Sequence, residues 1–438
     1  MSALRNGLLV LLAIAQMAAG LRVAIRLLRT GRGTRIQRSA APCPGERVTV
    51  IVPVLDERQR LMPCLDGLMA QPDEVQEILV VDGGSRDGTQ ALVRAVAEGD
   101  ARLRLLDATP IPVDWNGKAH GLQTGLLHAD PQANWILTID ADVRPHPDLV
   151  RSLLAHVHQS GVALQGVATR QVVSGAADGL LHPALLTTLV YRHGIPGNAA
   201  SRILEVQANG QCSLFRREPL EHLGGFAVAR DSRCEDVTMA RALAEAGCTV
   251  GFHEVDGLIE AAMYGGWRDT WQNWPRSLTL RDRYWNLDGW LRLAEVKLAQ
   301  GLPLAVLAIS WQADRQRSPA KDFGPGELPA KHDALDPRVQ QRALQADDPG
   351  SFAGGRGASV ARKVTPGHVL RAVNIGLFAM RLGILAGTRR AYREPPVTYW
   401  LSPLLDLPVS LRLWQSALQG SHTWRGRTLV PEDVWSVT

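Results

Sequence analysis

The chain has 438 residues, 21% of them charged and 45% hydrophobic, a balance that excludes a disordered polymer and allows one large folded domain or two ordinary ones. Its net charge of +5 is a modest excess built almost wholly from Arg, with Lys only at positions 118, 297, 321, 331 and 363; no basic stripe interleaved with aromatics argues for nucleic acid. Cys43, Cys64, Cys212, Cys234 and Cys248 are odd in number and contain no C-x-x-C pair, so a reducing cytosol is a simpler reading than a disulfide framework or a zinc site.

The first element is an apolar run from Gly7 to Leu21, continuing into Val23-Ala24-Ile25 and Leu27-Leu28. It is short against the ~20 residues of a usual span. No small-residue cleavage site comes cleanly after it, so residues 1–30 are expected to anchor the chain rather than be removed. A helix lying on the membrane surface is the bland alternative. The series Arg22, Arg26, Arg29, Arg32, Arg35 and Arg38 places the rest of the domain on the cytoplasmic side.

After an Ala- and Pro-rich linker (39–46), apolar and β-branched runs predict strands over 48–53, 77–82, 103–106 and 135–139. Helical spacing falls between them, over 61–69, 89–98 and 121–128. This alternation implies an α/β domain with a mainly parallel sheet, in which ligands bind beyond the carboxyl ends of the strands. Asp56, Glu57, Asp82, Asp140 and Asp142 all fall at such ends. Further on, Leu298 to Trp311 is apolar but short, and 312–365 reads as a Pro-, Gly-, Asp- and Arg-rich insertion. Gly367 to Gly387 predicts a second membrane segment. Val397 to Leu418, broken by Pro and carrying Asp406 and Arg412, reads as interfacial or re-entrant.

Four motifs carry chemistry. Asp140-Ala141-Asp142 comes directly after a strand, and two carboxylates at a turn can hold Mg²⁺ or Mn²⁺, hard cations that prefer oxygen; a helix cap is the competing reading. Asp82, leading into Gly83-Gly84-Ser85, can accept hydrogen bonds from a base or ribose. Asp114-Trp115-Asn116-Gly117-Lys118 offers a phosphate-binding Lys in a chain that hardly uses Lys. Glu235-Asp236 precedes a helical stretch over 238–246, and one carboxylate can serve as general base. The stretch Asn209-Gly210-Gln211-Cys212 reads as part of an acceptor pocket. The segment 267–283, dense in Trp and Arg, reads as a loop closing over the site or as an amphipathic surface helix.

As a set, Val50-Ile51-Val52-Pro53-Val54-Leu55-Asp56-Glu57, Val81-Asp82-Gly83-Gly84-Ser85, Asn116-Gly117-Lys118, Asp140-Ala141-Asp142 and Glu235-Asp236 resemble the family 2 glycosyltransferases over about residues 46–285. The resemblance implies a GT-A, Rossmann-like nucleotide-sugar-binding domain flanked by N- and C-terminal membrane helices. It implies inverting transfer from a UDP- or GDP-linked sugar. Pro53, Glu57, Asp82, Lys118 and Asp140 would bind the donor, Asp142 and Asp140 the metal, and Asp236 would be the base. Glu235, Gln272, Trp274 and Arg276 would form an acceptor and diphosphate loop. Two departures stand out: Asp56 where the family often has Asn, and a Q-x-x-R-W element altered to Gln272 and Arg276 four apart.

The stretches Tyr399 to Pro408 and Trp424-Arg425-Gly426-Arg427 resemble the tails of bacterial membrane glycosyltransferases acting on carotenoids, with hopanoid- and ceramide-type enzymes nearby. That implies 2′-O-glycosylation of a carotenoid in a bacterial plasma or thylakoid membrane. Other lipids such as a polyprenyl phosphate, a polysaccharide synthase and a non-catalytic scaffold are the alternatives. The expected layout is an anchor (1–30), a catalytic domain (46–285), an interfacial or membrane helix (286–311), the insertion (312–365), C-terminal membrane helices (366–420) and a tail (421–438).

Overall fold

The computed structural model describes residues 2–173, 175–262, 265–278, 283–317, 364–419, 422–424 and 427–429. Most of the insertion and of the tail therefore lies outside the described residues. Twelve strands precede the late helices: β1 Arg35–Ile36, β2 Val48–Val54, β3 Val75–Asp82, β4 Leu103–Asp107, β5 Trp135–Ile139, β6 Val143–Pro145, β7 Leu164–Ala168, β8 Arg170–Gln171, β9 Asn198–Ala200, β10 Cys212–Arg216, β11 Val250–Val255 and β12 Ile259–Ala261.

Nine of them form one sheet in the order β1-β11-β7-β10-β5-β2-β3-β4, with β9 on β11, while β6-β12-β8 form a small second sheet. The pairs β2–β3, β3–β4, β2–β5, β7–β11 and β1–β11 are parallel, as the strand–helix alternation predicts. Only β9 and β10 run against their neighbours in the large sheet. The sheet recruits β1 from ahead of the expected domain start at 46.

The helices of this region are α1 Ser2–Thr30, α2 Met62–Met69, α3 Thr89–Ala97, α4 Gly117–His128, α5 Leu149–Ser160, α6 Ala176–His193, α7 Arg217–His222, α8 Glu235–Glu245 and α9 Trp267–Leu278. Alternate residues of β2 feed opposite cores, Val50 and Val52 packing with Leu65 and Leu153, and Ile51 with Leu122, Leu126 and Leu243. Burial on both faces is why these strands read as unbroken apolar runs.

Among the described residues, three helical stretches are long and apolar enough to cross a membrane: Ala3–Thr30, Leu287–Gln316 and Pro366–Ala391. The segments that read as short are thus continuous helices of span length. The first continues past its apolar run because Arg22 and Arg26 both find Glu295. The middle one is lengthened by Leu287–Glu295 and a π-helical turn at Val296–Gly301. Val397–Leu405 is 3₁₀ and Asp406–Leu418 is a short α-helix.

Side chains fix the directions. Gln16 and Asn374 exchange two hydrogen bonds, of 2.9 and 2.8 Å, and Gly20 lies against Leu377. The helix Pro366–Thr388 therefore runs parallel to α1. Gln16 also donates to the Leu298 carbonyl at 3.0 Å while Arg22, further along α1, reaches back to Glu295, so the middle helix runs antiparallel. Of the basic series, Arg35 pairs with Glu254 at 3.1 Å and Arg38 with Asp148 at 2.5 Å. Arg22 and Arg26 are also engaged, while Arg29 and Arg32 are exposed.

Candidate active site

The carboxyl ends of β2, β3 and β5 open into one cavity of about 1960 Å³. Its polar centre is Lys118. The ammonium lies 2.7 Å from Asp140 Oδ1 and 2.8 Å from Glu235 Oε1, and donates to the Gly210 carbonyl at 3.3 Å. Lys118 is set there by Asn116, which caps α4: its Oδ1 accepts from the Lys118 N–H at 2.8 Å, and its Nδ2 donates to the Ser232 carbonyl at 2.8 Å. One Asn thereby ties the start of α4 to the loop entering α8. Sequence reasoning treated Asn116 as part of a motif and missed this role; an Asn followed by Gly at a helix start was the available signal.

Glu235 and Asp236 occupy the first turn of α8 rather than preceding it. Gly210 sits between the two halves of the site: a Cβ added there would lie 2.6 Å from Lys118 Nζ, 3.2 Å from Glu235 Oε1 and 3.6 Å from Asp236 Oδ2. A side chain there would push the Lys118 ammonium away from its carboxylates.

Burial, and then the neighbouring Glu235, push the Asp236 carboxyl up to about 6. Burial and the adjacent Asp140 push Asp142 up to about 7. Asp140 is also raised by burial, with Lys118 opposing. The Lys118 ammonium is pulled down by burial, but Asp140, Glu235 and Asp236 outweigh it and hold it well above the usual lysine range. Four carboxylates around one ammonium leave an excess of negative charge.

That excess suits a divalent cation. Asp142 Oδ1 is buried and has no hydrogen-bond partner among the described residues, so Asp140 and Asp142 could hold a metal whose remaining ligands come from a substrate or water. Among the described residues no group of three or more His, Cys, Asp or Glu has metal-holding spacing.

On the side of β2 and β3, two loops are laced together. Asp56 adopts the left-handed region (φ 55), which Asn and Asp tolerate best. Its Oδ1 accepts from Arg86 N at 2.7 Å, and its own N–H donates to Ser85 Oγ at 2.9 Å. Replacing the family's usual Asn by Asp therefore keeps the turn. Pro53 and Glu57 line the cavity, and Glu57 pairs with Arg60 at 2.8 Å. Asp82 is fully buried. Its Oδ2 accepts from Gly84 N, Ser85 N and Gln90 Nε2 at 2.9, 3.0 and 2.7 Å. Its Oδ1 has no partner among the described residues, so Asp82 first shapes the turn that Gly83 and Gly84 present to the cavity.

The segment expected as a loop over the site is helix α9. Trp274 is buried, lines the cavity and packs on His182 with centroids 3.9 Å apart. Gln272 is exposed and does not line the cavity; helical spacing turns Asp269 and Asn273 inward instead. The Arg276 side chain lies outside the described residues. Sequence reasoning also missed α6, which adds Leu186, Leu189 and Val190 to the cavity, together with Met380 and Ile384 from the helix Pro366–Thr388. An apolar run broken by Pro183 concealed α6.

Residues 49–224 match the sequence profile described as Glycosyl transferase family 2. Glycosyltransferase AglE of Haloferax volcanii is 30% identical over 222 residues, 50% of this chain and 68% of that protein. Dolichyl-phosphate beta-glucosyltransferase ALG5C of Trichomonas vaginalis is 34% identical over 102 residues, 22% of this chain and 28% of that protein. Among solved structures, the mannosyltransferase PcManGT of Pyrobaculum calidifontis, in complex with GDP-Man and Mn²⁺, aligns at 23% identity with a TM-score of 0.45, over 85% of this chain and 99% of that one.

Proposed function

The chain belongs to glycosyl transferase family 2, and we propose that it is an inverting enzyme moving a sugar from its nucleotide donor to a hydroxyl of a membrane lipid, best a carotenoid. It is a glycosyltransferase of GT-A fold that uses a nucleotide sugar. The lipid acceptor rests on one observation: the cavity lined by Asp142, Lys118 and Asp236 is also lined by Leu27 of α1, Leu186 and Leu189 of α6, and Met380 and Ile384 of a candidate span. A soluble acceptor has no use for an apolar wall that leads toward the bilayer, whereas a polyisoprenoid would leave the membrane no further than its hydroxyl end.

The residues divide the work. Pro53, Glu57 and the Asp82 turn receive the nucleoside. Asp140 and Asp142 would hold Mg²⁺ or Mn²⁺, whose positive charge would offset the negative charge of the departing diphosphate. Lys118 keeps Asp140 and Glu235 at a fixed spacing beside that charge. Asp236 takes the proton of the attacking hydroxyl. A hydroxyl is favoured over a phosphate acceptor, because a phosphate oxygen is already ionised near neutral pH and needs no base. The carotenoid in particular rests on the likeness of Tyr399 to Pro408 to carotenoid-enzyme tails. A cytoplasmic catalytic domain is the reading that exposed Arg29 and Arg32 support.

Pigment and lipid profiling of a deletion strain tests this. A missing glycoside with accumulation of its aglycone, restored by the purified protein, a nucleotide sugar and Mn²⁺, is the expected result. Unchanged pigments with a missing glycoside of another lipid would replace the carotenoid; an unchanged lipid profile would overturn the lipid reading.

A further inference from the structure

Gln211 precedes β10 and lines the cavity, yet is only 1% exposed. Its carboxamide is held by oxygen alone. Oε1 accepts from Thr169 Oγ1, from Asn209 Nδ2 at 2.9 Å and, more weakly, from Gln171 Nε2 at 3.4 Å. Gln171 Nε2 also donates to Thr169 Oγ1 at 2.8 Å, which orients that hydroxyl toward Gln211. Two of the partners are N–H₂ groups that can only donate, so turning the amide over would set nitrogen against nitrogen; the network fixes which end is oxygen.

The other end is left over. Gln211 Nε2 is buried and has no hydrogen-bond partner among the described residues. An unpaired buried donor is costly, and three surrounding side chains hold this one in place. The backbone of Gln211 adds a location: its carbonyl accepts from Asp140 N at 3.1 Å. The donor thus belongs to a residue directly beside the proposed metal and diphosphate end, on the β10 side, away from the loops of β2 and β3.

We propose that Gln211 Nε2 donates to a hydroxyl oxygen of the sugar being transferred, and so sets which sugar the enzyme accepts. This rests on the reading of the site as a nucleotide-sugar site. The acceptor's own hydroxyl is a poor partner, because a hydrogen bond donated to the attacking oxygen ties up the lone pair that must attack. The nucleoside is a poor partner by position. A sugar carries several hydroxyls with no part in bond making, and a buried donor rejects an analogue that lacks the matching one strongly, since it is then left unpaired.

The test is Gln211→Glu, which keeps the shape and an oxygen for Thr169, Asn209 and Gln171 while turning the remaining donor into an acceptor. Wild type and variant are titrated, with Mn²⁺, with UDP and UDP-glucose and with GDP and GDP-mannose, and hydrolysis of each nucleotide sugar is measured without lipid. For the nucleotide sugar that wild type hydrolyses, the variant should bind at least tenfold more weakly and bind the matching nucleoside diphosphate as before. Gln211→Ala should lose the wild-type discrimination against the deoxy form of that sugar. Equal weakening toward nucleotide sugar and nucleoside diphosphate, or a variant changed only in its KM for lipid, would overturn the assignment. Binding and hydrolysis of neither nucleotide sugar by wild type would overturn the nucleotide-sugar reading, and this assignment with it. A wild type that hydrolyses donor but glycosylates no lipid would refute the acceptor proposed above and leave Gln211 standing.

Discussion

Lys118 and Glu235 meet at 2.8 Å although one lies at the start of α4, the helix after β4, and the other at the start of α8, the helix before β11. The same ammonium reaches Asp140 at the end of β5. One side chain therefore joins the loop proposed for the metal to the helix that carries the proposed base.

Replacing Lys118 by Met should leave the partly exposed Asp140 and the buried Glu235 close and without their shared cation. Transfer should fall by about 100-fold or more, the scale of losing one preorganised electrostatic group. Stability should fall by about 1–3 kcal/mol, less than for a fully enclosed pair because Lys118 is 28% exposed. Steady-state rates and thermal unfolding in detergent check both. Wild-type activity in Lys118→Met would remove the residue from the mechanism.

Asp142→Asn and Asp236→Asn should fail in different ways. The first removes a carboxylate whose buried Oδ1 has no partner among the described residues, so binding of nucleoside diphosphate should lose its dependence on Mn²⁺. The second should bind donor and metal normally yet transfer about 10²–10⁴-fold more slowly, the usual share of general-base catalysis. Calorimetric titration alongside initial rates separates the two.

A base works only when ionised, and the Asp236 carboxyl is raised to about 6 by burial and by Glu235. Its ionised fraction is nearly complete at pH 8 and falls about tenfold per unit below pH 6, so transfer should have an acid limb near 6 rather than near the ordinary 3.8. In Glu235→Gln, which removes the neighbouring charge, the limb should move to lower pH. A flat profile down to pH 5 would take Asp236 out of the role.

The strand ends were legible in the sequence because β2, β3 and β5 are buried on both faces and show as apolar runs halted by Pro53, Asp82 and Asp140. Asp140, Asp142, Lys118, Glu235 and Asp236 could be gathered from their motifs. That Lys118 bridges two of them could not, because Asn116 and Ser232 set its position across the chain. Gln272 was misplaced because a motif gives spacing and not the turn of a helix. The span lengths were underestimated because Arg22 and Arg26 look like breaks until Glu295 is found beside them. The apolar end of the cavity draws on α1, α6 and the helix Pro366–Thr388, segments with no local signal that they meet.

The helix directions make a topological prediction. The candidate spans α1 and Pro366–Ala391 both end toward the catalytic domain, while the candidate span Leu287–Gln316 leaves it. In a variant whose native Cys43 and Cys248 are replaced by Ser, a Cys placed at Gln37 and one placed at Thr365 should react with a membrane-impermeant thiol reagent from opposite sides of sealed vesicles. Labelling of both from the same side would mean that these helices lie along the membrane rather than cross it.

Gly383 and Gly387 stand with Met380 and Ile384 at helical spacing, and all four line the cavity. A Cβ at either glycine would meet nothing within 4 Å, so protein packing does not demand glycine there, although each costs about 0.5–1 kcal/mol of helix stability relative to Ala. Added bulk at these positions projects into the space proposed for the acceptor. Gly383→Leu should therefore raise KM for the lipid about tenfold and leave donor KM unchanged. Thermal stability should hold or rise, which separates obstruction from unfolding. A lipid KM unmoved by Leu at both positions would place the acceptor's path elsewhere in the cavity, against α6.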